Sequence, residues 1–103
     1  MTDEQLSKWG ERYGLTLSDI RGLRRLINIY VKQQEHFCNG DYHPSIGDFG
    51  TQNRYAEAWE RESDATAVLL KEYAKRCGFD GVDFGLGLYP CFSKGSDTHI
   101  MIP

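Results

Sequence analysis

The sequence predicts an α+β domain of three helices, one of them long and central, packed with a C-terminal two-stranded antiparallel β-hairpin. Three observations predict it. Ile20, Leu23, Ile27, Tyr30, Gln34 and Phe37 recur at three and four residues, the spacing of a helix that buries one face. Tyr55, Ala58, Trp59, Glu62, Thr66, Leu69, Tyr73 and Cys77 repeat that period further on. After Gly78 the period falls to two, with Val82, Phe84, Leu86 and Leu88 alternating with Asp83, Gly85, Gly87 and Tyr89.

With 103 residues and 40% hydrophobic content, residues 1–103 suffice for one domain with a modest core and marginal stability. The domain divides into 1–15 (a short helix and turn), 16–77 (two long helices and their connecting loop) and 78–103 (the hairpin). A net charge of −3 gives the whole molecule no field that draws it to nucleic acid or an anionic membrane, local patches aside, which favours protein or small-molecule partners. No apolar run approaches the roughly 18 residues that span a bilayer, and the acidic start Met1-Thr2-Asp3-Glu4 is unlike a basic leader. The expected setting is cytoplasmic. Three scattered cysteines, Cys38, Cys77 and Cys91, fit reduced thiols better than a disulfide framework.

The first helix opens on Thr2-Asp3-Glu4-Gln5, a capping box, carries Leu6, Trp9 and Tyr13, and ends at Gly14, which takes a left-handed conformation at low cost. Thr16 then caps the long helix, with Asp19 placed favourably against its dipole. Ile20, Leu23, Ile27 and Tyr30 form one apolar face of that helix. Leu26, Ile29 and Val31 form a second, so its middle calls for another helix on one side and a sheet or partner chain on the other. The segment Cys38-Asn39-Gly40-Asp41 stops it. In the loop 42–50, Ile46 and Phe49 are expected to pin the chain, leaving His43, Ser45 and Asp48 for recognition. Pro90 ends the first strand, Ser93-Lys94-Gly95-Ser96-Asp97 makes the turn, and Thr98 to Ile102 form the second strand.

Catalytic motifs are missing. The glycines at 78, 81, 85 and 87 neither follow a strand nor lead into a helix as phosphate binding requires, and there is no nucleophile elbow. A Cys38 or Cys91 nucleophile with His36, His43 or His99 has no support from spacing. His36, Cys38, Asp41 and His43 lie within eight residues and are zinc-compatible types, yet they include no CxxC pair and need Cys77, Cys91 or His99 to complete a site. A helix-stopping turn accounts for the same segment, so no metal or cofactor is expected. Glu62, a carboxylate on an apolar stripe, is read either as a partner-binding or acid/base group or as a structural residue, paired with an arginine or tyrosine of the long helix or left at a solvent-exposed edge.

Two function classes remain. A short helix, a glycine turn and a second helix invite a helix-turn-helix reading over residues 6–25, in which Gly10 permits the helices to approach and Arg21, Arg24 and Arg25 face phosphates. The acidic balance and the lack of a preceding third helix count against it. The other class is a non-enzymatic protein-interaction module, with His43, Asp48, Glu62 and Tyr89 as candidate partner-binding residues where the loop meets Glu62 and the hairpin. A homodimer is compatible with the over-apolar long helix and the hairpin edge.

The helix ending in Cys38-Asn39-Gly40-Asp41, the helix after it, and Gly85-Leu86-Gly87-Leu88-Tyr89-Pro90 leading to a final apolar strand resemble, over Ile20 to Pro103, a group of small proteins encoded by tailed bacteriophages. That resemblance implies a bacterial cytosol during infection and an accessory or anti-defence role that binds and blocks a host protein. It assigns no role to any residue.

Overall fold

The computed structural model describes residues 1–38, 49–84 and 89–103, with side chains throughout except at 36–38, 49–56 and 59. Helix α1 spans Asp3–Glu11, α2 Leu17–Cys38 and α3 Phe49–Arg76, followed by strands β1 Gly81–Asp83, β2 Cys91–Lys94 and β3 Asp97–Ile100. The architecture is α+β, as the change of period predicts.

Both helix starts form as their sequences require. The Thr2 hydroxyl accepts from the Gln5 N–H at 3.2 Å while the Gln5 side chain accepts from the Thr2 N–H at 2.8 Å, closing the capping box. At α2 the Thr16 hydroxyl accepts from the Asp19 N–H at 3.1 Å, and the Asp19 carboxylate accepts from the Thr16 N–H at 3.0 Å. Each of these exchanges satisfies first-turn amides that have no intrahelical partner.

Two helix ends share one device. Leu15 donates its N–H to the Gly10 carbonyl at 2.9 Å with Gly14 at φ 71°, and Phe79 donates to the Ala74 carbonyl at 3.0 Å with Gly78 at φ 95°. Both are Schellman turns, and both glycines adopt a backbone that other residues reach only under strain. Lys94 lies beside each of them. Its ammonium donates to the Tyr13 carbonyl and stands 3.8 and 3.7 Å from where a Cβ on Gly14 or Gly78 would sit. One half-buried cation from β2 thus ties the sheet to the end of α1 and stands beside the negative end of α3. Replacing it by methionine, Lys94→Met, is expected to lower unfolding free energy by about 1 kcal/mol in urea titration, less in high salt. Stability equal to wild type would remove this role.

The sheet corrects the predicted hairpin. It has three antiparallel strands in the order β1-β2-β3, not two. The alternation from Val82 is a strand only through Asp83, and its later members at 85–88 lie outside the described residues. Cys91 and Phe92 begin a strand of their own, which pairs Val82 with Phe92 on one side and Phe92 with Ile100 on the other. Ser93 and Lys94, expected in the turn, belong to that strand. The turn itself is Gly95-Ser96, with Gly95 at φ 62°, and the Asp80 carboxylate accepts from the Gly95 N–H at 2.7 Å. A positive φ at the first central residue alone is the pattern of a type II′ turn, whose twist suits a hairpin.

The core joins all these elements. Leu6 of α1, Ile20, Leu23 and Ile27 of α2, Leu70 and Ala74 of α3, Phe79, Phe92, Ile100 and Ile102 are buried together. An aromatic run connects α1 to the central strand: Trp9 to Tyr13 at 5.0 Å between ring centroids, Tyr13 to Phe79 at 6.5 Å and Phe79 to Phe92 at 5.1 Å.

The helices depart from expectation in two ways. The longest is α3 with 28 residues, against 22 in α2, although α2 supplies four of the buried side chains, Ile20, Leu23, Ile27 and Tyr30. The buried stripe of α3 is Ser63, Thr66, Leu70 and Ala74, about one residue round from the predicted one, so Glu62 is exposed and Leu69 is 54% exposed. Thr66 does lie buried on this face, as placed. The two buried hydroxyls are satisfied, Ser63 by the Gln34 amide at 2.6 Å and Thr66 by donating to the Glu62 carbonyl at 3.0 Å.

Candidate interaction surface

The off-register stripe of α3 creates the surface of greatest interest. Because Leu70 and Ala74 take the core positions, their neighbour Leu69 faces out beside Tyr73, across from Leu26 and Ile29 of α2. These four side chains, with Gly22, line an open groove of about 650 Å³ between α2 and α3. Ile29 is 41% exposed and Val68, next to Leu69, is 52% exposed. Two large aliphatic side chains exposed on one groove floor, Ile29 and Leu69, are costly to leave in water.

Gly22 sets how the helices meet here. A Cβ at that position would stand 2.0 Å from the Tyr73 hydroxyl and 2.4 Å from the ring carbon bearing it, so only glycine admits the Tyr73 ring against the α2 backbone. Tyr73 also carries the Arg76 guanidinium over its ring at 5.2 Å. Burial raises its phenol above the ordinary range, Cys77 and Asp19 add to the rise and Arg76 opposes it. Tyr73 is therefore a neutral hydroxyl at the groove wall at neutral pH.

The rim is basic. Ser18, Arg21, Arg25 and Arg76 complete the groove lining, and a neighbouring depression of about 450 Å³ is lined by Arg21, Arg24, Arg25, Asn28, Ile29 and Lys32. Among the described residues no carboxylate lines either one. Two acids at the starts of α1 and α2 are engaged within the fold. Asp3 accepts from Arg21 at 2.7 Å, and Asp19 caps α2. A chain of net charge −3 thus gathers three of its twelve Lys and Arg residues around one apolar floor and two more in the depression beside it.

The three arginines chosen as candidate phosphate contacts do share one exposed face. Gly10 also performs the expected close approach, since a Cβ there would meet Ile20 Cδ1 at 2.7 Å and the Leu15 carbonyl oxygen at 2.9 Å. Of the candidate partner-binding residues, His43 and Asp48 lie outside the described residues, as does the place where their loop would meet Glu62. Glu62 is exposed at a small depression with Ala58, Arg61 and Ala65. Tyr89 is half-buried and its hydroxyl donates to the Ile102 carbonyl at 2.5 Å, which anchors the chain end after β3. Burial raises the Tyr89 phenol, against a lowering pull from Arg24.

His36 and Cys38 fall in the last turn of α2, with no side-chain placement described. Among the described residues no group of three His, Cys, Asp or Glu side chains is placed to hold a metal ion. Of the thiols, Cys91 is buried in β2, whereas His99 is exposed with its Nδ1 2.9 Å from the Thr98 hydroxyl. Burial, then the Asp19 carboxylate beside it, push the Cys77 thiol up to about 11, so it is protonated at neutral pH and a weak nucleophile.

Sequence reasoning overlooked Leu69 and Arg76 as groove residues because the helical period alone placed Leu69 inward, whereas Tyr73, also placed inward, is half-buried against the core. The available signal was the second apolar face of α2, Leu26, Ile29 and Val31, which asked for a neighbour. Leu26 and Val31 are half-buried and Ile29 is left open. No family description, curated protein or solved structure matches the chain. No helix among the described residues is long and apolar enough to cross a membrane.

Proposed function

We propose that this chain is a non-enzymatic protein-interaction module that engages its partner through the α2–α3 groove. The phage-like layout suggests a host protein as partner and an accessory or anti-defence role. The observation that carries the reading is the exposed Ile29–Leu69 floor, an apolar face of two helices with no part of the described fold over it. Grooves of this kind bind by removing aliphatic area from water, while a polar or charged rim sets orientation.

The test is affinity capture from bacterial lysate with the wild-type chain and with Leu69→Glu. Leu69 is more than half exposed, so the substitution leaves the core intact. Proteins retained by wild type are expected to be lost, by at least about tenfold, in the variant. An identical captured set would sink the reading.

A second reading, helix-turn-helix binding to duplex DNA, draws support from Arg21, Arg24 and Arg25 lining one depression. Its weakness is that Arg21 is already paired with Asp3 and that the same depression runs into an aliphatic floor that phosphates do not need.

A further inference from the structure

Resting on the groove reading above, we infer that the occupant is an acidic amphipathic helix of the partner protein, with its apolar stripe on Ile29 and Leu69 and its carboxylates on Arg25 and Arg76. Two features of the groove select that chemistry. Its floor is aliphatic and lies between two packed helices, the setting in which a third helix lays anchors spaced at i, i+3 or i+4, and i+7. Its rim holds Arg21, Arg25 and Arg76 and no acid, and the adjoining depression extends the cations through Arg24 and Lys32.

Charge complementarity decides the sign of the partner. A basic or neutral helix would fill the floor yet leave these cations facing like charge or losing water without a counter-ion, which disfavours it. Carboxylates placed a turn on either side of the anchors would meet Arg25 and Arg76 from above and accept the paired N–H bonds that guanidinium forks donate. Arg21 contributes less, because Asp3 holds it at 2.7 Å. Duplex DNA supplies the negative charge but no aliphatic stripe for Ile29 and Leu69, so it leaves the floor uncovered.

The test uses the full chain and three fluorescent probes in anisotropy titrations: a helical peptide of about 15 residues with leucines at those spacings and flanking glutamates, its counterpart with lysines for the glutamates, and a duplex DNA of about 15 base pairs. Expected is saturable binding of the acidic peptide, at least about tenfold tighter than the basic one and weakening as salt rises from about 50 to about 300 mM. Leu69→Glu and the double change Arg25→Glu, Arg76→Glu are each expected to weaken it by about tenfold or more, and circular dichroism of both variants confirms that they fold. Equal binding of the two peptides, binding of neither, or DNA binding tighter than the acidic peptide overturns the inference. So does concentration-dependent self-association abolished by Leu69→Glu, which assigns the groove to a second copy. If capture from lysate depends on Leu69 but the acidic peptide fails, the groove reading stands and the acidic-helix assignment falls.

Discussion

Phe92→Ala is expected to cost about 4 kcal/mol of unfolding free energy and about 20 °C in melting temperature. Phe92 is fully buried on the central strand, where it pairs with Val82 on one side and Ile100 on the other and stacks on Phe79 at 5.1 Å. It is the one side chain at which the aromatic run from α1 meets the sheet. Truncation to Ala removes the ring from the core and leaves a cavity that fixed strands on both sides cannot close. A domain of this size has roughly 5 to 15 kcal/mol in all, so the variant should stand near its limit at 37 °C. Urea titration followed by far-ultraviolet circular dichroism gives the number. A loss under about 1 kcal/mol would mean that the three-stranded sheet is not the structural centre described here.

Gly10→Ala is the second large effect, and its sign is opposite to what helix propensity suggests. Within a helix, alanine is normally better than glycine by about 1 kcal/mol. At Gly10 the new methyl would meet Ile20 Cδ1 at 2.7 Å and the Leu15 carbonyl oxygen at 2.9 Å. The isoleucine methyl can shift, but the carbonyl is main chain of Leu15, whose N–H closes the Schellman turn that ends α1, so it yields less easily. A net destabilisation of about 2 kcal/mol is expected, with the overpacking cost exceeding the propensity gain. Pairing Gly10→Ala with Ile20→Val in a double-mutant cycle separates the two contacts. If relief by Ile20→Val is complete, the carbonyl contact carries no strain and the turn is softer than its geometry implies.

Elements governed by local chemistry were readable in the sequence. The Thr2–Gln5 box, the Thr16 cap and the glycine ends at 14 and 78 depend on a few adjacent residues, and each forms as written. The α+β class followed from the change of period after Gly78. The predicted strand from Val82 forms through Asp83, with 85–88 outside the described residues, but β2 was not legible, because a run of two-residue periodicity says nothing about where pairing partners lie, and Cys91-Phe92-Ser93-Lys94 is too short and mixed to announce itself. The stripe of α3 slipped for a similar reason. Val68, Leu69 and Leu70 are consecutive and apolar, so periodicity cannot choose among them. Gly22 of α2, which admits the Tyr73 ring, sits at the contact that orients the helix, and it lies 51 residues away in the chain.

That slip also hides the groove from the one-dimensional pattern. A stripe containing Leu69 and Tyr73 turns the α3 side of the groove floor inward and leaves no groove to be seen. The arginines were found, as a possible DNA face, because basic residues at i, i+3 and i+4 are visible in one dimension. Their joining to Ile29, Leu69 and Arg76 needs two helices in register and was not.

The most direct measurement of the central claim is quantitative affinity capture from bacterial lysate with three forms of the full chain: wild type, Leu69→Glu in the groove and Lys8→Glu in the depression along α1. Expected is a partner retained by wild type and by Lys8→Glu and reduced by at least about tenfold with Leu69→Glu. Retention by all three forms, or loss with Lys8→Glu alone, would place the interaction away from the α2–α3 groove and contradict the account.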